Sequence, residues 1–176
     1  MKKAIFLDRD GVINEVKSER VKFVNKPSQF YFLEGVTEAV KKLSQSGFLL
    51  YVVTNQGGVG LGYLTKGELD RIHDHMVAEI EKAGGRIEEV SCCIHKPKEG
   101  CSCRKPEAGM IVALAEKHGL DLNQSYMIGD RDVDIEAGRK AGCKTILLAH
   151  HSSPQYGANH IFPSLKEASE YILSSQ

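Results

Sequence analysis

Residues 4–14, Ala-Ile-Phe-Leu-Asp-Arg-Asp-Gly-Val-Ile-Asn, form an apolar run that ends in two carboxylates two positions apart, then a glycine. Carboxylates at the end of a buried strand are costly unless a cation or a reaction uses them. Asp8 and Asp10 are therefore candidates for a nucleophile, a neighbouring acid/base group and a metal site. Asp-x-Asp-Gly also opens calcium loops and ordinary turns, so the pair needs company. Two more polar clusters follow apolar runs: Thr54-Asn55-Gln56, and Asp130 with Asp132 and Asp134. Helix capping accounts for one or two of the later aspartates, but not for Asp130, which directly follows Met127-Ile128-Gly129. Lys105 adds a cation in Cys103-Arg104-Lys105-Pro106, where the proline favours an extended backbone at the mouth of a helix. An ammonium there suits a phosphoryl group.

A second chemistry lies between residues 92 and 103. Cys93-x-His95 and Cys101-x-Cys103 are two i, i+2 pairs, and alternation along an extended chain puts both members of each on one side. Two such pairs can close a tetrahedral zinc site, with Cys92 competing for the place of Cys93. Four protein ligands leave no open position, so that zinc would be structural. Cys143 reads as a small buried hydrophobe, and none of the other histidines reads as catalytic. The glycines of residues 57–62 do not meet Gly-x-Gly-x-x-Gly spacing in any register and read as a permissive turn whose amides approach phosphate.

The elements that must position these groups alternate between short apolar strands and amphipathic helices, which predicts an α/β fold with a mostly parallel sheet. Strands are expected at 3–8, 48–54, 90–95, 125–129 and 144–149. Helices are expected at 35–46, after a capping box at Thr65 and Glu68, from Pro106 to about Gly119, around 133–141, and from a second capping box at Ser164 and Glu167. Residues 15–34 fit no such element and predict a loop or hairpin over the site. In open α/β sheets ligands bind beyond the carboxyl ends of strands, so the three polar clusters point to one edge.

Composition narrows the class. The 176 residues suit one domain spanning 1–176, and 41% hydrophobic with 26% charged residues is ordinary for a soluble enzyme. Lys plus Arg and Asp plus Glu each total 23, which gives no drive toward nucleic acid or an anionic membrane. No apolar stretch is long enough to span a bilayer, and the charged interruption after Leu7 makes the N-terminus a strand rather than a signal peptide. Four of five cysteines crowded into twelve residues predict a metal in a reducing cytoplasm, not a disulfide framework.

The ordered set Asp-Arg-Asp-Gly, Thr-Asn-Gln, Arg-Lys-Pro and Gly-Asp-x-x-x-Asp resembles the haloacid dehalogenase superfamily of aspartyl phosphatases, through residues 4 to about 148. With the Cys/His loop ahead of Arg104, it is similar to the subfamily of heptose bisphosphate and histidinol-phosphate phosphatases. The resemblance implies a three-layer Rossmann-like parallel sheet flanked by helices, no large cap domain, a small zinc-bearing loop, and a monomer. It implies Asp8 as nucleophile and Asp10 as acid/base, with Thr54 and Lys105 holding phosphoryl oxygens. Catalytic Mg2+ would be held by Asp8, the Asp10 main-chain carbonyl and Asp130, and substrate by Asn55, Gln56, Gly57, Arg104 and Arg131. Asp134 would orient Lys105 or the helix. The subfamily's Cys-x-His motif favours Cys93 over Cys92 beside His95, Cys101 and Cys103, and leaves Cys92 facing the core.

The substrate implied is a small phosphorylated metabolite. Gly60-Leu61-Gly62-Tyr63-Leu64-Thr65 resembles the heptose branch, although Gly57 replaces a serine and Leu61 an arginine of that branch. A lost guanidinium weakens bidentate anion binding. The short spacer between His95 and Cys101, and Gly129-Asp130-Arg131, resemble the histidinol-phosphate branch. Removal of the 7-phosphate of D-glycero-D-manno-heptose 1,7-bisphosphate is the expectation taken. A histidinol-phosphate or other small sugar-phosphate phosphatase is the alternative, and a non-catalytic zinc-stabilised binding module the reading from another class.

Overall fold

Period-two alternation along the strands decides how both faces of the sheet are covered. The computed structural model describes residues 1–176. Strand β1 spans Ala4–Leu7, β2 Leu49–Asn55, β3 Glu89–Cys93, β4 Tyr126–Gly129, β5 Lys144–Leu148 and β6 His160–Phe162. The helices are α1 Val36–Gln45, α2 Lys66–Lys82, α3 Gly109–His118, α4 Asp132–Ala141 and α5 Leu165–Ser174. Ile5, Leu7, Leu50 and Val52 point into one hydrophobic cluster with α1, α2 and α5. Ala4, Phe6, Tyr51 and Val53 point into a second one with α3 and α4. The result is the expected three-layer arrangement.

All strand pairs are parallel, in the order β3-β2-β1-β4-β5-β6. Connectivity runs outward one way from β1 and the other way from β4, so the topological switch point lies between them. Asp8 follows β1 and Asp130 follows β4, on opposite lips of that crevice. Between β1 and α1 the chain makes a loop whose ends pair through an isolated antiparallel bridge, Asn14 to Phe32, with one short 3-10 turn at Pro27–Gln29 and no cap domain. Residues 16, 17 and 23–25 of this loop nonetheless line clefts shared with Asp10. No helix is long and apolar enough to cross a membrane.

Local signals set most boundaries. Thr65 Oγ1 accepts from Glu68 N at 3.1 Å and the Glu68 carboxylate accepts from Thr65 N at 2.7 Å, the expected capping box of α2. Three expectations fail. Pro106 does not begin a helix: α3 starts at Gly109, and Asn55 instead holds both polar groups of the Lys105 backbone, each at 3.0 Å. The second capping box does not form, because the Ser164 hydroxyl donates to the Glu167 carboxylate rather than accepting from the helix backbone. Strand β6 was not expected. Its three residues are too few to show a period, and pairing with β5 defines it.

Candidate active site

Asp8 is buried at the end of β1, and its Oδ1 accepts from Lys105 Nζ at 2.9 Å. The same ammonium lies 2.7 Å from Asp134 Oδ1 and donates to the Val53 carbonyl at 2.8 Å. Two hydrogen bonds and an ion pair surround the ammonium, so Lys105 is a fixed buried cation and not a flexible one. Burial opposes its charge, but Asp8 and Asp134 more than compensate and raise its pKa. Asp8 behaves oppositely. Burial, with Asp134, Asp130 and Asp10 nearby, raises its pKa well above the usual carboxylate range against the pull of Lys105. Asp130 is pushed up to about 6, by burial and then by Asp134.

Asp134 does orient Lys105. Its other oxygen accepts from the Asp130 and Arg131 amides, each at 3.1 Å, which closes the first turn of α4. Carboxylate oxygens of Asp8, Asp130 and Asp134 all lie within 4.8 Å of one another. Asp130 Oδ1 is buried without a hydrogen-bond partner. With Asp10, four carboxylates face the two cations Lys105 and Arg9, so full ionisation would leave two negative charges in excess, the crowding that raises Asp8 and Asp130. An orphaned carboxylate oxygen and that charge fit a hard divalent cation such as Mg2+. Gly11 is required beside it: its φ is +84°, and a Cβ there would stand 2.1 Å from Asp130 Oδ2.

Asp10 is placed by a different set of groups. Its Oδ1 accepts from Arg9 Nη2 at 2.8 Å, Arg9 Nε at 3.2 Å and Asn14 Nδ2 at 3.0 Å. Its Oδ2 accepts from Gln56 Nε2 at 3.1 Å, and Gln56 also donates to Thr54 Oγ1 at 2.9 Å. Burial alone would raise the Asp10 pKa, but Arg9, Asn14 and Gln56 together hold it below the usual range. Thr54 and Gln56 are buried within the site.

The remaining candidates divide. Asp10 and Asn55 line two adjoining clefts, of about 640 Å³ and about 380 Å³. The smaller also carries Asp8, Lys105, Asp130 and Arg131, and the larger Gln56, Gly57, Leu61 and Tyr63. Arg131 is exposed at the rim. Arg104 donates to the His95 carbonyl at 3.3 Å and passes within 3.0 Å of where a Gly57 Cβ would stand. Arg104 is therefore held against its own Cys/His loop beside Gly57 and lines neither cleft itself.

In that loop one ligand atom each from Cys93, His95, Cys101 and Cys103 lies within 4.8 Å of the others. Cys93 Sγ stands 3.4 Å from His95 Nδ1, 3.6 Å from Cys101 Sγ and 3.0 Å from Cys103 Sγ, with Cys103 Sγ to His95 Nδ1 at 3.2 Å. A tetrahedron with zinc–ligand bonds of 2.0–2.3 Å has edges of roughly 3.3–3.8 Å; the four separations here, 3.0–3.6 Å, are slightly tighter, and three thiols with one imidazole suit a four-coordinate soft-ligand metal. Cys92 is outside it, half-buried against the larger core. Cys143 is buried among apolar side chains, as expected.

Sequence reasoning missed Arg9 and His73. Arg9 is 1% exposed, and its Nη1 lies 3.1 Å from Nε2 of the buried His73 on α2. The available signal was an arginine alternating with Asp8 and Asp10, hence aimed at the opposite face, together with a histidine one turn from Leu69 and Met76 on an apolar helix face.

Residues 102–168 match the HAD-hydrolase-like family model. The chain is 36% identical over 165 residues to the D-glycero-alpha-D-manno-heptose-1,7-bisphosphate 7-phosphatase of Campylobacter jejuni, covering 94% of this chain and 92% of that one. It is 37% identical to the D-glycero-beta-D-manno-heptose-1,7-bisphosphate 7-phosphatase of Helicobacter pylori, over 83% of each. Its fold is similar to the crystal structure of D,D-heptose 1,7-bisphosphate phosphatase from B. bronchiseptica complexed with magnesium and phosphate, with a TM-score of 0.88, 32% identity and 99% of both chains covered.

Proposed function

The chain belongs to the heptose-bisphosphate phosphatase family of haloacid dehalogenase-like hydrolases, and from that membership we propose that it removes the 7-phosphate of D-glycero-D-manno-heptose 1,7-bisphosphate. The observation that carries the mechanism is Asp8, held 2.9 Å from the buried Lys105 ammonium at the switch point beside Asp130. Asp8 attacks phosphorus and forms an aspartyl-phosphate as the bond to the sugar oxygen breaks. Asp10 enters this step protonated, against the pull of Arg9, Asn14 and Gln56 toward its ionised form, and gives that oxygen the proton through Oδ2, because three donors already occupy Oδ1. It then takes a proton from the water that hydrolyses the acyl-phosphate, releasing inorganic phosphate and restoring Asp8.

Lys105 keeps Asp8 in place beforehand. It serves phosphoryl oxygens from this fixed place, its charge paired with Asp134 and one donor on the Val53 carbonyl. Thr54 presents its hydroxyl beside Gln56. The Asp8 and Asp130 carboxylates and the Asp10 main-chain carbonyl would hold Mg2+, which offsets phosphoryl charge when bound. Asn55 fixes the Lys105 backbone and, with Gln56 and Gly57, lines the larger cleft. Arg104 meets a distal group of the substrate, and Arg131, on the smaller cleft with Asp8, stands near metal and substrate. Cys93, His95, Cys101 and Cys103 would hold a structural Zn2+ that ties Arg104 and Lys105 to the site. Residues 1–176 act as one cytoplasmic, monomeric unit on a small metabolite, without nucleic acid or membrane as partner.

Phosphate release measured as kcat/KM on heptose 1,7-bisphosphate and on histidinol phosphate tests the substrate. Preference for histidinol phosphate, which the short 96–100 spacer favours, would overturn the sugar. No turnover of either, or of a broad phosphate-ester panel, would overturn the reaction and leave the binding-module reading.

A further inference from the structure

Arg9 stands between the two aspartates in sequence but lies beneath them in space, 1% exposed, with its guanidinium 5.9 Å over the Phe30 ring. A guanidinium only donates hydrogen bonds, so at 3.1 Å the His73 Nε2 must present a lone pair, and the ring proton is on Nδ1. Burial, then the charge of Arg9, lower the His73 pKa to about 3, so the ring stays neutral. From the opposite edge, Arg9 Nη2 and Nε grip one oxygen of Asp10. Chain connectivity does not fix this arrangement: His73 comes from α2, after β2 and 64 residues along the chain from Arg9.

We propose that His73 is a positioning residue for the reaction: by accepting from Arg9 Nη1 it locks the guanidinium that clamps Asp10 Oδ1, and so aims Asp10 Oδ2 at the leaving oxygen. This rests on the acid/base reading of Asp10 above. Without the acceptor at Nε2, Arg9 has a buried unpaired N–H. It turns to find another partner, and the Asp10 carboxyl follows it. Proton delivery suffers, while attack by Asp8 does not.

The leaving group separates these steps. A sugar alkoxide needs a proton to depart and p-nitrophenolate does not, and kcat/KM reports only the steps through departure. The experiment measures kcat/KM on the heptose bisphosphate and on p-nitrophenyl phosphate for wild type, Asp10→Asn, His73→Leu, His73→Asn and His73→Gln. Glutamine carries an amide oxygen near the Nε2 position; leucine and asparagine put no acceptor there. Asp10→Asn is expected to lower the sugar-to-aryl ratio about 100-fold. Leucine or asparagine at 73, whichever folds, is expected to lower it about 10- to 30-fold, with glutamine restoring most of it. Equal losses on both substrates, or a glutamine variant as selective as the leucine one, would overturn the assignment of His73 while leaving Asp10 as the acid. If Asp10→Asn itself shows no leaving-group selectivity, the acid/base reading fails and His73 with it.

Discussion

The protein holds two clusters fit for a metal, and they are built in opposite ways. The Cys/His cage draws all its ligands from residues 93–103, so one stretch of chain carries them and few distant contacts are needed. The carboxylate cluster joins Asp8 to Asp130 and Asp134, more than a hundred residues away, and exists only where β1 and β4 lie side by side. Ligand chemistry differs in step. Thiols and one imidazole close a shell around a soft metal, while carboxylates leave room for water and phosphate around a hard one. A closed local cage suits a staple, and an open distant cluster suits chemistry.

The harshest test of this contrast is Asp8→Asn, which removes the nucleophile without disturbing the cage. Turnover should fall by about 10⁴-fold or more, no phosphoryl-enzyme should be trapped, and bound zinc should be unchanged. Residual turnover close to wild type would remove the nucleophile assignment. Chelation comes next. EDTA should abolish activity and added Mg2+ restore it, with zinc staying at one per chain by elemental analysis. Cys101→Ser should do the reverse, losing zinc and about 10 °C in Tm, an effect Mg2+ does not repair.

Gly11→Ala attacks the open cluster through its backbone. A Cβ 2.1 Å from the Asp130 carboxylate should cost about 100-fold in kcat/KM with zinc content intact. A variant with wild-type kinetics would show that Asp130 does not need that place.

A smaller effect reads the excess negative charge. Asp8 and Asp130 have pKa values raised above those of the unfolded chain, so from about pH 6 down these two carboxyls bind more protons in the metal-free native state, while His73, neutral down to about 3, binds fewer. His73 contributes equally with and without metal, so the Tm gain that saturating Mg2+ gives should shrink by a few degrees as pH falls from 7 toward 5. A pH-independent gain would count against crowded carboxylates. The smallest expected change is Leu61→Arg. Leu61 is half exposed at the larger cleft, and a guanidinium there should lower KM for the bisphosphate about 3- to 10-fold without changing kcat.

How legible each cluster was follows from its construction. The cage could be read from two i, i+2 pairs, because alternation over a few residues is a local property. Asp8, Thr54 and Asp130 could be read as strand-end groups, because apolar runs stop visibly at them and parallel strands deliver their ends to one edge. The capping box of α2 was written in Thr65 and Glu68 for the same local reason. The Ser164–Glu167 pair carried the same signal and formed a different bond, since two polar side chains free to meet each other need not meet the backbone.

What the sequence by itself determined is the alternation of strands and helices, the polar residues at the strand ends and the ligands of the cage. These depend on spacings of two, three or four residues. Only the tertiary structure decided that Lys105 is buried against Asp8 and Val53, that α3 begins at Gly109, and that His73 reaches Arg9 beneath Asp10. Each depends on a partner fifty or more residues away or on a backbone held by one, and no period in the chain encodes such a pairing. Packing two faces of one sheet brings those partners together.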